Sequence, residues 1–101
     1  MIKRKEINLT PRATEDLENL WFYSQEQFGL LKADEYIGRI SDIFELIATH
    51  EVGIKRPELG DSLYSLPVEK HVVFFLVSEL VIIVIRILNQ SQDVPRHLLW
   101  H

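Results

Sequence analysis

The chain has 101 residues, 47% of them hydrophobic and 26% charged, which suits one globular domain with one core and excludes both a second domain and a disordered chain. Its formal net charge of −4 and sequence pI near 5.5 weigh against a protein whose main work is to grip nucleic-acid phosphates, since each neutralised phosphate calls for a cation. With no cysteine there is no disulfide framework and no thiolate metal site, as suits a reducing cytoplasm.

Met1 leads into Ile2-Lys3-Arg4-Lys5-Glu6 without an apolar run, so no secretory signal is expected and the protein is read as cytoplasmic. Residues Arg4 to Leu9 alternate in polarity and predict a short first strand. Thr10 offers an N-cap hydroxyl, and Pro11 suits the first helical position, where no backbone donor is needed. Ala13, Leu17, Leu20, Trp21 and Phe28 then recur with the spacing of one helical face, and Gly29 is placed to end the helix. A second helix begins near Leu30 to Lys32, with Ala33, Tyr36, Ile37, Ile40, Ile43, Phe44 and Ile47 as its buried stripe. So short a link between the two implies an antiparallel αα-hairpin.

From His50 to Asp61 the periodicity stops, and Gly53, Pro57 and Gly60 punctuate a loop. Three strands are expected after it: Ser62 to Leu66, Lys70 to Val77, and Leu80 to Leu88. Pro67 separates the first two, and Ser78-Glu79 forms a tight turn between the last two. The fold class is therefore α+β: an N-terminal strand, an αα-hairpin, then a three-stranded, mainly antiparallel sheet, all in a single domain spanning residues 1–101. Glu79 and Arg86 interrupt the long apolar stretch from Val72 to Leu88, and its β-branched content favours strands over a membrane span.

Strict alternation along the last strand places Val81, Ile83, Ile85 and Ile87 on one face, to pack on the hairpin. Ile82, Val84, Arg86 and Leu88 fall on the other face, which two helices cannot also cover. That face is expected to be partly bare and to meet a protein partner, unless the curled sheet, the N-terminal arm and the tail cover it. Arg86 needs an acceptor in so apolar a strand, either a local carboxylate or an anionic group of a partner.

Little else points to catalysis. The acidic residues Glu15, Asp16, Glu18, Asp34 and Glu35 read as solvated helix surface, and His71 as a hydrogen-bonded structural histidine. His97 and His101 have the i, i+4 spacing of two zinc ligands, yet no carboxylate completes a site, so no metal and no cofactor is expected.

Several segments, taken in order, resemble a known family. They are Leu9-Thr10-Pro11-Arg12-Ala13 followed by Asp16-Leu17, then Phe28-Gly29, Ala33-Asp34 and Tyr36. Leu66-Pro67-Val68, His71-Val72-Val73-Phe74, Arg86-Ile87-Leu88, Asp93 and Arg96-His97-Leu98 complete the set. The chain resembles the ParE-like toxins of the RelE/ParE superfamily, from bacterial type II toxin–antitoxin systems. Asn89 replaces the family's usual histidine, Gln92 a frequent methionine, and His50-Glu51-Val52-Gly53 the usual Asn-Pro before the mid-loop glycine.

The resemblance implies a cognate antitoxin as partner, of the ribbon-helix-helix DNA-binding type, and DNA gyrase as a target inhibited by binding. It implies no catalytic residue and no direct contact with nucleic acid or membrane. RelE-branch relatives instead cut messenger RNA in the ribosomal A site with lysines and arginines around the phosphate and a C-terminal tyrosine or histidine. Such cleavage is the alternative activity, and a degenerate, non-toxic antitoxin binder is a third reading. Arg86, Asn89, Gln90, Ser91, Gln92, Asp93 and Arg96 are the expected target-binding residues, because uncharged hydrogen-bonding side chains at a strand end suit a polar target surface. Trp21, Phe22, Ile82 and Val84 are the expected antitoxin-binding residues.

Overall fold

The computed structural model describes residues 4–92. Its elements run β1 (Glu6–Leu9), α1 (Pro11–Phe28), α2 (Leu30–Thr49), β2 (Ile54–Lys55), β3 (Leu63–Val68), β4 (His71–Val77) and β5 (Val81–Asn89). Thr10 caps α1 as its sequence suggests: its Oγ1 accepts the Ala13 N–H at 3.1 Å, and Pro11 follows at the first helical position. Gly29 alone joins the helices, at φ +90°, a backbone angle that side chains disfavour. Ala13 and Leu20 of α1 and Ala33, Ile40, Ile47 and Ala48 of α2 are buried, and the Trp21 indole donates to Asp34 Oδ1 at 3.0 Å across the hairpin. Phe28 departs from the expected stripe. It is 67% exposed, like its neighbours Leu30 and Leu31 at the hairpin tip, because the tip extends past the core. Among the described residues no helix is long and apolar enough to cross a membrane.

The sheet has five strands rather than three, in the order β1-β5-β4-β3-β2. β1 lies parallel to β5 and the remaining pairs are antiparallel. β2 is a two-residue strand inside the expected loop, pairing Ile54 with Ser65 and Lys55 with Tyr64. Gly53 makes it possible. Its φ is +105°, and a Cβ there would lie 2.8 Å from Phe75 Cζ. Pro67 does not separate β3 from β4 but lies within β3, opposite Val72. Since β2 pairs only with Tyr64 and Ser65, β3 is an edge at Pro67, where a missing N–H costs no ladder bond. The real turn is Glu69-Lys70, with Glu69 at φ +55°. The turn after β4 falls where expected, with the Ser78 N–H and Oγ both bonded to Val81 O.

A β-bulge changes which residues of β5 face the helices. Phe75 lies opposite Val84 and Phe74 opposite Arg86, leaving Ile85 as the extra residue. Before the bulge Ile82 and Val84 join Leu20, Ile40 and Ile47 in the core under the hairpin, and after it Ile87 does, out of step with them. Ile85 and Leu88 belong to a cluster with Leu63 and Phe74 on the opposite side. The expected facing is thus overturned: alternation holds from Ile82 to Val84 with the even residues under the helices and Ile83 37% exposed, and it breaks at Ile85. The opposite side is not bare either. Its four core residues are at most 9% exposed, Leu59 packs against them, and the Arg56 guanidinium lies 5.8 Å from the Phe74 ring centroid. Large exposed apolar side chains gather instead on the hairpin, at Phe22, Tyr23, Phe28, Leu30 and Leu31.

The bulge sits where β1 runs out. β1 pairs with β5 as far as Leu9 opposite Val84. From there Thr10 takes over, its N–H donating to Val84 O at 3.0 Å and its hydroxyl to Ile85 O at 2.9 Å. One turn into α1, Asp16 completes the join. Arg86 Nε donates to its Oδ2 at 2.8 Å, Arg86 Nη2 to its Oδ1 at 2.9 Å, and the Ile87 N–H also to Oδ2 at 2.9 Å. Asp16, expected on a solvated face, is thus a largely buried partner, with side-chain exposures of 9% for Arg86 and 15% for Asp16.

Breaking such a pair from one side leaves a buried charge unmatched. Asp16→Ala should destabilise the fold by about 3–5 kcal/mol. The double variant Asp16→Ala with Arg86→Met should recover most of that loss, because no stranded cation remains. Urea unfolding of the two variants and the parent reads the difference. A double variant no more stable than Asp16→Ala would show that the charge itself is not what costs.

Candidate functional site

Two adjoining hollows open where α1 and α2 meet the end of the sheet, and they share Leu20, Tyr23, His71 and Asn89. The larger, of about 520 Å³, runs along the hairpin and has the side chains of Lys32, Arg39 and Lys70 on its walls. Lys32, Tyr36 and Arg39 recur at i, i+4 and i+7, so one face of α2 supplies all three. The Glu69-Lys70 turn and the start of β4 bring Lys70 and His71 to the opposite wall. The smaller hollow, of about 440 Å³, reaches Asp16 and Gln92.

Near the wall of the larger hollow, the Tyr36 hydroxyl lies 2.6 Å from His71 Nδ1 and 3.2 Å from Val68 O. The single phenolic proton can go to one of these atoms; when Val68 receives it, Nδ1 must carry the ring proton. Burial lowers the pKa of His71 from its ordinary 6.5, against the pull of the Asp16 and Glu69 carboxylates. Burial and then Glu69 push the Tyr36 phenol up. Both groups are therefore neutral near pH 7. Arg39 faces Glu69 at 3.2 Å, and Lys32 faces Glu35 at 3.7 Å, both pairs exposed. His71 thus holds the structural place read from its sequence. The cations around it were missed, although the helical spacing of Lys32, Tyr36 and Arg39 was available; their meeting with Lys70 depends on the register of β3 and β4.

The expected target-binding residues fall into three groups. Asn89, Gln90, Ser91 and Gln92 come together in one turn at the end of β5. The Asn89 N–H donates to Gln92 Oε1, and the Ser91 N–H and Oγ both donate to Asn89 Oδ1. Gln90 ties this turn to the neighbouring one, its N–H donating to Lys70 O and its Nε2 to Glu69 O, both at 3.0 Å. Arg86 is separate, buried against Asp16, and Asp16 raises its pKa further by hydrogen bonding. Asp93 and Arg96 lie outside the described residues, as do His97 and His101. Among the described residues no group of three His, Cys, Asp or Glu could hold a metal ion.

The four residues expected to meet an antitoxin are scattered. Phe22 is exposed, Trp21 is half-buried with its indole N–H on Asp34, and Ile82 and Val84 are core residues under the helices. The last two are therefore not a surface, because their face of β5 packs under the hairpin.

Because the fold depresses the His71 pKa, its neutral form contributes stability that is present above pH 6.5 and is lost as pH falls through the lower folded value. The melting temperature should fall on acidification below about pH 6.5, and His71→Gln should flatten that part of the profile. Differential scanning calorimetry of both proteins across this range is the check; identical slopes would remove His71 from the explanation.

Comparison with known proteins agrees with this architecture. The family profile described as "ParE toxin of type II toxin-antitoxin system, parDE" matches residues 7–94. A Toxin ParE1 from Caulobacter vibrioides is 34% identical over 96 residues, covering 93% of this chain and 98% of that protein. A Toxin ParE1 from Mycobacterium tuberculosis is 28% identical over 92 residues, covering 89% and 94%. Among solved structures, a chain described as the chromosomal ParDE TA system from P. aeruginosa superposes with a TM-score of 0.72 at 20% identity, covering 85% of this chain and 96% of that one, and so shares the fold. The chain belongs to the ParE toxin family of type II toxin–antitoxin systems.

Proposed function

We propose that the protein inhibits DNA gyrase by binding it, without catalysis of its own, and that a cognate antitoxin of the ribbon-helix-helix type neutralises it. The observation that carries the non-catalytic part is the capture of Arg86. A nuclease reading would set this arginine on the scissile phosphate, but its Nε and Nη2 donate to Asp16 and its side chain is 9% exposed. Cleavage of RNA also needs a base for the 2′-hydroxyl beside such cations. Among the described histidines, His71 has its Nδ1 against Tyr36 and His50 its Nδ1 against Thr49.

The target surface in this reading is the turn Asn89 to Gln92. Asn89, Gln90 and Ser91 are exposed, and the turn is cross-bonded within itself and to Glu69 and Lys70, so it presents a fixed polar shape. A preformed surface binds without first ordering a loop. Family membership supports the antitoxin partner and the cytoplasmic setting.

Expressed alone, the protein should arrest growth with filamentation, and the purified chain should inhibit gyrase supercoiling in vitro. Ser91→Ala with Gln92→Ala should weaken that inhibition several-fold, since each lost hydrogen bond is worth about 0.5–1.5 kcal/mol. Untouched supercoiling together with cutting of ribosome-bound messenger RNA would establish the nuclease reading. Neither effect, with antitoxin binding retained, would establish a non-toxic relative.

A further inference from the structure

The polar turn from Asn89 to Gln92 has little packing of its own, and Gln90 anchors it to the Glu69-Lys70 turn through Lys70 O and Glu69 O. That second turn is itself unfavourable when left alone. Glu69 adopts φ +55°, a left-handed conformation that a residue with a Cβ disfavours. Helix α2, which forms one wall of the larger hollow, a groove along the hairpin, holds this turn at two points. Tyr36 and Arg39 stand three residues apart on one helical face. Arg39 Nε meets the Glu69 carboxylate at 3.2 Å. The Tyr36 hydroxyl reaches the residues on either side of the turn, 3.2 Å from Val68 O and 2.6 Å from His71 Nδ1.

The two contacts are unequal. Arg39 and Glu69 are half exposed, so water and salt weaken their pair. Tyr36 is partly buried and packs edge-on against the His71 ring, with centroids 5.6 Å apart. When Nδ1–H donates to the phenol oxygen and the phenol donates to Val68 O, one hydroxyl joins the end of β3 to the start of β4. His71 stands opposite Asn89 in the sheet, so the strand end that Tyr36 holds is paired with the residue from which the polar turn departs.

We infer that Tyr36 is a positioning residue for gyrase inhibition: its hydroxyl holds the Glu69-Lys70 turn and, through Gln90, sets the shape that Asn89 to Gln92 present to the target. This rests on the reading that the polar turn faces gyrase, and adds a residue on α2 on which that surface depends. A hydroxyl that served global stability alone would alter exchange at every amide that opens by full unfolding. A positioning hydroxyl acts first on the two turns.

The test uses the full chain. Tyr36→Phe keeps the ring and removes the hydroxyl, and Gln90→Ala, at an exposed residue, cuts the far end of the relay. Tyr64→Phe on β3 is the control, and circular dichroism and melting check that all three fold. Nuclear magnetic resonance follows hydrogen–deuterium exchange at the Gln90 N–H, which bonds Lys70 O, against that of Val73 in the core. Supercoiling assays with purified gyrase read inhibition. In Tyr36→Phe the Gln90 amide should exchange several-fold faster while Val73 keeps its rate, and inhibition should need roughly two- to tenfold more protein. Tyr64→Phe should change neither. Tyr36→Phe and Gln90→Ala together should weaken inhibition by less than the product of their separate effects, because both cut one relay. An unchanged Gln90 rate in Tyr36→Phe would overturn the relay while leaving the target reading intact. Faster exchange with inhibition unchanged, or single effects that multiply in full, would overturn the positioning role. A parent that leaves supercoiling untouched would overturn the target reading and the proposal with it.

Discussion

The fold turns on one carboxylate placed where a strand ends. Among the described residues β5 is the longest strand, and its neighbour β1 is spent at Leu9, leaving the far half of one β5 edge without a described partner strand. A free edge there would leave backbone donors and acceptors unmatched beside the core. The start of α1 fills the gap: Thr10 takes the carbonyls of Val84 and Ile85, and Asp16 takes the N–H of Ile87 with the guanidinium of Arg86. The bulge at Ile85 falls between these two anchors and lets β5 turn Ile87 back under the helices after Val84. Cap, bulge and ion pair thus form one device that fixes the hairpin against the sheet.

Much of this fold was legible because its local signals agree with one another. Thr10-Pro11, the 3.6-residue stripe of α2 and the single Gly29 link each act within a few residues, and each set an element boundary close to its observed place. The misreadings share a different cause. A bulge is a count of two residues against one on a partner strand, so Val81 to Leu88 alone cannot show it. β2 is two residues long and exists through its pairing with Tyr64 and Ser65. Pro67 read as a break because its place at a sheet edge depends on where β2 stops. Arg86 was recognised as needing an acceptor, and a nearby carboxylate was one of the two readings. That the acceptor would be Asp16, 70 residues away on a helix face that looked solvated, follows from the tertiary fold alone.

The candidate site shows the same division. The polar tract from Asn89 to Gln92 stood out in sequence as a run of amides and a serine with little packing value, and the structure brings it together as a turn. The groove beside it is assembled from α1, α2, the Glu69-Lys70 turn and the end of β5. Gln90 bonds across to Glu69 and Lys70, so two hydrogen bonds join the polar turn to one wall of the groove.

If Asp16 stands in for a missing strand, its effect must appear at one backbone amide. The direct measurement is hydrogen–deuterium exchange at the Ile87 N–H, followed by nuclear magnetic resonance in the parent, Asp16→Asn and Asp16→Ala, under conditions where all three stay folded. The account predicts strong protection in the parent, partial protection with asparagine, whose side-chain oxygen still accepts, and exchange many times faster with alanine, while the Val84 amide on the near side of the bulge keeps its protection. An Ile87 amide that exchanges at one rate in all three proteins would contradict it.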